Sequence, residues 1–171
     1  MELKVEKMPE LRRIALRGTT MIEALVTVLV LGMAALAYAN AQLRGAAGNA
    51  SALWLSKATV LAAEAADRVR ANPAGVAAGD YNSLTTPGTA STCSTTSICT
   101  PAQMATTDFV LWRLSLTAAL PGGSGAICLD STPDDGATGS VACDGTGSQL
   151  VVKVFWAERG TGYRFVSVVR P

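Results

Sequence analysis

A long apolar run dominates the first part of the chain. Residues 24–43 carry no charged side chain, and alanine, leucine, valine and methionine fill most of these positions. Counted from Thr19 to Ala39, the run is about 20 residues long, which is the length that a helix needs to cross a bilayer. The pattern therefore predicts a membrane-spanning helix, the anchor segment (residues 19–39).

After the anchor segment the apolar residues keep a helical period. They recur every three or four positions and form the stripe of an amphipathic helix: Leu43, Ala47, Ala50, Trp54, Ala58, Leu61, Ala65 and Val69. A helix is expected to end at Asn72, because the residue before a proline (here Pro73) is disfavoured in the α conformation. We predict one helix from Thr20 to Ala71, whose second half carries a globular domain.

The next pattern is a loop followed by a short helix. Residues 76–103 are rich in small and polar residues, which is typical of a loop. Asp108 is expected to be the N-cap of a helix that ends at Pro121. The apolar face of this helix is predicted to consist of Phe109, Trp112, Leu116 and Leu120.

Three stretches near the C-terminus have the composition of β-strands. They are residues 126–129, 149–157 and 163–169, and residues 158–162 are expected to join the last two as a hairpin loop. Val152, Val154 and Trp156 alternate with other residues and should share one face of the sheet. The predicted fold class is α+β, with a small antiparallel sheet of three or four strands packed on the long helix.

Charge gives the orientation of the predicted membrane helix. The formal net charge of the 171 residues is +1, which gives no reason to expect a nucleic-acid partner. Basic residues prevail in residues 1–18, and Arg12, Arg13 and Arg17 lie close to the apolar run. This bias holds the N-terminus in the cytoplasm and sends the remaining chain outward. Residues 1–18 have no core-forming pattern and are interpreted as a leader.

The four cysteines all follow the anchor segment, on the predicted outer side of the membrane. An even number of cysteines in an exported domain indicates two disulfides. Four cysteines allow three connectivities, of which the local pairs Cys93–Cys99 and Cys128–Cys143 are favoured because each closes a short loop. A zinc site is the alternative, but the chain has no Cys-x-x-Cys motif and no histidine.

Glu23 is the unusual residue of the anchor segment. A carboxylate inside an apolar segment is costly and needs a partner, or else it extends to the lipid headgroups. Neither a secretory signal peptide cleaved after Ala39 nor a plain signal anchor accounts for Glu23. The whole arrangement is a basic leader, a glycine, two small polar residues, two apolar residues, a glutamate and then the apolar helix.

This arrangement resembles the N-terminus of type IV prepilins. The resemblance implies cleavage by prepilin peptidase between Gly18 and Thr19 and methylation of the new N-terminus at Thr19. Mature chains of that family usually begin with phenylalanine or methionine, and Thr19 departs from this pattern. The resemblance also implies that the Thr19 amine of one subunit pairs with Glu23 of its neighbour, which neutralises two charges that are costly near lipid.

A second resemblance lies at the end of the long helix. The segment Arg68-Val69-Arg70-Ala71-Asn72-Pro73, followed by Gly79-Asp80-Tyr81, is similar to the PilV family of type IV pilus minor pilins, also known as type IV pilus modification proteins. The cysteine-rich loop and the Val-x-Val-x-Trp strand at 152–156 agree with it. From the residues alone, Arg68 and Arg70 are interpreted as solvated charges that complement the helix dipole.

The PilV resemblance implies a leader (1–18), the anchor segment (19–39) and an outward-facing head (40–171). It implies a minor pilin of the inner membrane and then of the pilus, which takes part in assembly and priming at the tip. The implied partners are prepilin peptidase, other minor pilins, the major pilin, the inner-membrane assembly platform and a tip adhesin. A type II secretion pseudopilin and a soluble secreted binding domain cleaved after Ala39 are the alternatives.

No catalytic or cofactor motif emerges from the sequence. The chain has no histidine, no P-loop and no Gly-x-Gly-x-x-Gly after a strand. We therefore expect neither an enzyme nor a bound cofactor or metal. The acidic residues of the 130–148 loop do not have the spacing of a calcium-binding EF-hand, so we expect an acidic, solvated loop: Asp130, Asp134, Asp135 and Asp144.

Overall fold

The structure is a computed structural model that describes residues 20–93 and 96–170. Its elements, in chain order, are α1 (Met21–Ala71), α2 (Pro73–Ala78), β1 (Ser83–Leu84), α3 (Pro101–Ala119), β2 (Ser124–Leu129), β3 (Leu150–Glu158) and β4 (Thr161–Val169). The chain divides into two units between Gly45 and Ala46. We call the second one the globular unit.

The described part of the first unit is helical from Met21 onward. Its apolar side chains are exposed, including Leu25, Val28 and Leu36 at 68% each. Two of its polar side chains bond within the helix: Thr27 Oγ1 donates to the Ala24 carbonyl at 2.8 Å, and Asn40 Nδ2 donates to the Leu36 carbonyl at 3.1 Å. Such local bonds let polar residues tolerate an apolar surrounding.

The globular unit contains a four-stranded antiparallel sheet with the order β1-β2-β3-β4. One face of this sheet packs against α3 and the second half of α1. Val152, Val154 and Trp156 share this face, as their alternation predicts, and the core also buries the stripe residues Ala58, Leu61, Ala65 and Val69. The predicted α+β class, with a long helix on a small antiparallel sheet, is confirmed.

Trp112 joins the layers of this core. It is fully buried on α3, and its indole nitrogen donates to the Leu61 carbonyl of α1 at 2.8 Å. β2 comes so close to this side chain that a Cβ on Gly125 would lie 2.5 Å from the Trp112 ring. Only glycine at this position lets the strand and the tryptophan pack together.

The opposite face of β3 is also buried. Val151, Lys153 and Phe155 have no exposed surface, although they point away from α1 and α3. The loop of residues 130–148 covers this face, since its residues Asp130, Asp135 and Ala142 contact the Lys153 ammonium group. β3 is therefore an inner strand of the sheet that is covered on both faces over most of its nine residues.

Three predicted boundaries are wrong. α3 begins at Pro101, with Thr100 as its N-cap and a capping box to Gln103, so Asp108 lies inside the helix and is not an N-cap. The expected loop of residues 76–103 contains the end of α2 and the short strand β1. The hairpin between β3 and β4 has two loop residues and not five, because Arg159 (φ 51°) and Gly160 (φ 83°) adopt the left-handed conformation that tight hairpins need.

Candidate functional site

Glu23 lies in the first turn of α1, with its side chain exposed. Its backbone N–H donates to the Thr20 carbonyl at 2.9 Å, so the carboxylate sits where the helix dipole favours a negative charge. Within residues 20–93 and 96–170, no cation lies within ion-pair distance of this carboxylate. Gly18 and Thr19, the expected cleavage and methylation positions, lie outside the described residues.

The helix that carries Glu23 has the length and composition of a membrane span. Within α1, an 18-residue window has a mean hydropathy of 2.1, and none of that window is buried inside the protein. Met21 is 85% exposed and Ile22 is 71% exposed beside Glu23. An uncovered apolar surface of this extent indicates that lipid or another helix covers it in the cell.

The corner after α1 is built around Asn72. This residue is 5% exposed, and its side-chain oxygen accepts from the Gly75 N–H at 3.1 Å as the N-cap of α2. Its amide nitrogen donates to the Tyr81 hydroxyl at 3.1 Å and to the Pro101 carbonyl at 2.8 Å. The Asn-Pro and Gly-Asp-Tyr segments singled out in the sequence thus meet in one buried hydrogen-bonded corner.

The two arginines before this corner are bound by carboxylates. Arg68 forms ion pairs with Glu64 at 2.7 Å and with Asp108 of α3 at 3.1 Å. Partial burial lowers the pKa of Arg68, but the hydrogen bonds to both carboxylates outweigh it, and the net direction is upward. The interpretation of Arg68 as a merely solvated charge is therefore wrong, because Arg68 links α1 to α3. Arg70 pairs with Asp67 at 2.9 Å on the exposed surface.

The cysteines form two local pairs, Cys93–Cys99 and Cys128–Cys143. These are the pairs that the sequence favours. Cys128 is buried on β2, so the second disulfide connects the sheet to the loop that covers it. Among the described residues, no group of three histidine, cysteine, aspartate or glutamate side chains is arranged to hold a metal ion.

Lys153 of β3 binds the loop of residues 130–148 that covers this face of the sheet. Its ammonium group contacts the Asp130 carboxylate, and the side chains of both residues have no exposed surface. It also donates to Asp135 Oδ1 at 2.5 Å and to the Ala142 carbonyl at 3.0 Å. Burial lowers the pKa of Lys153, but the bonds to the two aspartates outweigh it and raise the pKa overall. The ammonium group therefore stays charged inside the protein.

The acidic residues of the loop are consequently not a free, solvated cluster. Asp134 pairs with Arg164 of β4 at 3.0 Å. The hydrogen bonds from Lys153 and Thr132 lower the pKa of Asp135. The hydrogen bonds from the Ser131 hydroxyl and the Thr146 N–H lower the pKa of Asp144 to about 2. The expectation of an acidic, solvated loop is wrong for Asp130, which is buried, whereas Asp134 and Asp144 are exposed.

Part of the chain is similar to a known protein family. Residues 41–110 match the Tt1218-like family model, described as type IV pilin Tt1218. Neither the curated proteins nor the solved structures include a significant match to the chain. The match covers 70 of the 171 residues and shows that this segment is similar to type IV pilins.

The matched segment contains the corner that the structure builds. It begins within α1, passes through Asn72 and Tyr81, includes the Cys93–Cys99 loop, and ends inside α3 shortly after Asp108. Type IV pilins are in general structural and not catalytic proteins. An exposed apolar N-terminal helix fits membrane anchoring and incorporation into a pilus.

A substitution at Asn72 tests whether this residue stabilises the corner after α1. Replacing Asn72 by alanine removes the N-cap of α2 and leaves the Pro101 carbonyl without its buried donor. Losses of this kind cost about 1–3 kcal/mol of folding stability. The expected result is a lower urea midpoint of the full chain in detergent, followed by the fluorescence of the buried Trp112 and Trp156.

The matched control is Asn82→Ala, which changes an amide of the same type ten residues along, beside Gly79. It is expected to move the midpoint by much less. Equal effects of the two substitutions would contradict the role assigned to Asn72.

Lys153 is the residue that sequence reasoning overlooked. A lysine between β-branched and aromatic neighbours, in Val151-Val152-Lys153-Val154-Phe155, is a signal that was present in the sequence. Lysine is almost never fully buried unless it is paired, so the pattern indicates a buried carboxylate partner. The sequence does not indicate which aspartate this is.

Proposed function

We propose that this pilin is a minor pilin of a type IV pilus, of the PilV type. The observation that carries the proposal is the match of residues 41–110 to a type IV pilin family together with the uncovered apolar helix that begins before it. The Arg-x-Arg-Ala-Asn-Pro corner and the local disulfide at Cys93–Cys99 support the PilV type.

The proposed maturation begins in the inner membrane. The leader of residues 1–18 stays in the cytoplasm, and the head of residues 40–171 faces the periplasm. Prepilin peptidase cleaves after Gly18, and the new N-terminus at Thr19 is methylated. The basic residues before the apolar run and the small residue at the cleavage position support this pathway.

The proposed mechanism of assembly is binding alone. The Thr19 amine pairs with Glu23 of a neighbouring pilin, and the apolar surfaces of the helices pack together in the membrane and then in the fibre. The exposed Glu23 carboxylate, which has no cation beside it in the described chain, supports this pairing. The protein joins other minor pilins, the major pilin and the assembly platform, and it presents an adhesin at the tip.

Deletion and complementation in the producing cell test the proposal. Loss of the gene is expected to reduce the number of surface pili, counted by electron microscopy, and the intact chain is expected to restore them. Normal piliation together with loss of protein secretion would instead indicate a type II secretion pseudopilin. A mature chain that begins at Asn40, found by mass spectrometry, would indicate a soluble exported domain.

Glu23→Val tests the pairing of neighbouring subunits. The variant is expected to lose its leader normally but to assemble poorly, because the amine at Thr19 no longer has a carboxylate beside it in lipid. The measurement is the mature mass of the protein together with the fraction of it recovered in sheared pili.

The control is Thr27→Val, which replaces a polar residue by valine one helical turn further on the same face of α1. Thr27 bonds to the Ala24 carbonyl of its own helix, and its replacement is expected to leave assembly unchanged. Unchanged assembly of Glu23→Val would exclude the pairing.

A further inference from the structure

The strand β4 forms an open edge of the sheet. The sheet order places β1 at one edge and β4 at the other. β1 has only two residues, whereas β4 has nine residues, all of them paired with β3 on one side. A long edge strand presents a row of N–H and C=O groups on which another strand can pair.

The hairpin geometry shows which backbone groups of β4 point outward. Glu158 and Thr161 close a two-residue hairpin and exchange hydrogen bonds, so every second residue from Thr161 onward bonds to β3. Ala157 agrees with this alternation, since its N–H points away from β4 and donates to the Pro121 carbonyl at 2.9 Å. The residues between are the open edge, namely Gly162, Arg164, Val166 and Val168.

The open edge lacks the usual protection against pairing. Within the part of the chain that the structure describes, no backbone hydrogen bond connects these residues to anything beyond the strand. β4 contains no proline and no lysine, and its single charge, Arg164, turns back to the Asp134 side chain and carbonyl at 3.0 and 2.8 Å. Natural edge strands normally carry such charges, prolines or covers.

Clefts accompany the strand on both of its faces. On the helix side, Leu55, Trp156 and Tyr163 line a mostly apolar cleft of about 250 Å³. On the loop side, residues 136–138 and Gly162 line a cleft of about 100 Å³. At the far end, Val168, Val169 and Arg170 line a cleft of about 330 Å³. Successive side chains of an added strand point to opposite faces, so clefts on both faces suit such a strand.

We propose that the open edge of β4 binds an extended segment of another protein chain by β-strand addition. Main-chain hydrogen bonds from the outward-facing residues supply the pairing, and apolar side chains of the added segment enter the clefts. Arg170 is exposed at the end of the strand without an ion-pair partner among the described residues, so an acidic residue suits the position beside it. This inference rests on the proposed function, which supplies the partner chains.

A second copy of this protein does not suit the edge. Antiparallel pairing of two β4 strands places a twofold axis normal to the sheet, and this axis reverses the direction of everything that lies on the sheet. The two α1 segments of the globular units would then run in opposite directions. Neighbouring subunits that pack as proposed above, with the amine of one beside Glu23 of the next, have α1 running in the same direction, so the occupant is a different chain.

Hydrogen exchange at single-residue resolution tests the proposal on the full chain. The protein is purified in mild detergent in two states, together with the other pilins of its producing cell and alone from a strain that lacks them. In the complex, the amides of the open edge are expected to exchange at least about tenfold more slowly. The amides of Tyr163, Phe165 and Ser167, which already bond to β3, are expected to change little.

A proline substitution separates strand addition from side-chain docking. Val166→Pro removes an outward N–H without breaking a bond to β3, so the fold is expected to persist while the complex is lost. Val166→Thr keeps the N–H and serves as the matched control, with the complex retained. The urea midpoint of each variant, followed by tryptophan fluorescence, shows whether the fold is intact.

Several results would overturn the proposal. These are uniform protection along β4, protection of a dimer of this chain alone, no protection in the complex, or no co-purifying chain at all. The exchange measurement uses the unmodified chain, so it tests the proposal whether or not Val166→Pro folds. Loss of pili on deletion together with an unprotected edge would reject this inference and leave the proposed function standing, whereas normal pili on deletion would reject the proposed function itself.

Discussion

Replacing Lys153 by methionine is expected to lower the free energy of unfolding of the globular unit by about 3–5 kcal/mol, because removing one partner of a buried ion pair leaves a buried charge without compensation. Asp130 would be that charge, since its side chain has no exposed surface and Lys153 is its cation. Asp135 and the Ala142 carbonyl would lose the same donor. The measurement is the urea unfolding curve of the oxidised full chain in detergent, followed by tryptophan fluorescence.

The matched control for this result is Arg164→Met. Arg164 also pairs with an aspartate of the covering loop, but the Asp134 side chain is 89% exposed. An ion pair of this kind contributes about 0–1 kcal/mol. The double variant Lys153→Met, Asp130→Leu removes both buried charges together and is expected to regain much of the lost stability. If Lys153→Met is no more harmful than Arg164→Met, the buried pair does not hold the loop.

Replacing Gly18 by leucine is expected to abolish maturation of the protein. By resemblance to type IV prepilins, the peptidase requires a glycine before the cut, so the variant should keep residues 1–18 and contribute no subunit to the pilus. The measurements are the intact mass of the membrane-bound protein and the number of surface pili in cells that carry only the variant. Both are expected to change in an all-or-none manner.

The control for Gly18→Leu is Thr19→Met, at the other side of the same peptide bond. Methionine is one of the residues with which mature chains of the resembling family usually begin, so cleavage is expected to continue. A Gly18→Leu chain that still matures and restores pili would reject the prepilin interpretation. A mature chain that begins at Asn40 in the unmodified protein would reject it as well.

Sequence and structure agree best where the signal is local. The end of α1 was predictable from Asn72-Pro73, because proline restricts the residue before it whatever the rest of the chain does. β3 was predictable from its β-branched residues, and the two local disulfides from the short loops that they close. The start of α3 was missed, although the sequence displays both the capping box of Thr100 with Gln103 and a proline at the first helical position.

In the candidate site, too, local features can be predicted from the sequence, whereas contacts between distant residues cannot. The sequence alone predicts a role for Glu23, since a carboxylate within an apolar run is visible without the fold, and this role stays a prediction. The buried pair of Lys153 with Asp130 was not predictable, and neither was the bond from Arg68 to Asp108. Both pairs join residues far apart in sequence. Many carboxylates of this chain could pair with either cation, and only the fold decides which two groups meet.

By itself the sequence determined an apolar helix with one carboxylate, the end of that helix at Ala71, and a small antiparallel sheet. Each follows from periodicity or from the stereochemistry of neighbouring residues. Only the tertiary structure decided that the acidic loop folds over β3 around a buried lysine and that β4 is left as an open edge. Both features depend on which strands pair and which face a loop covers, and long-range packing sets these relations.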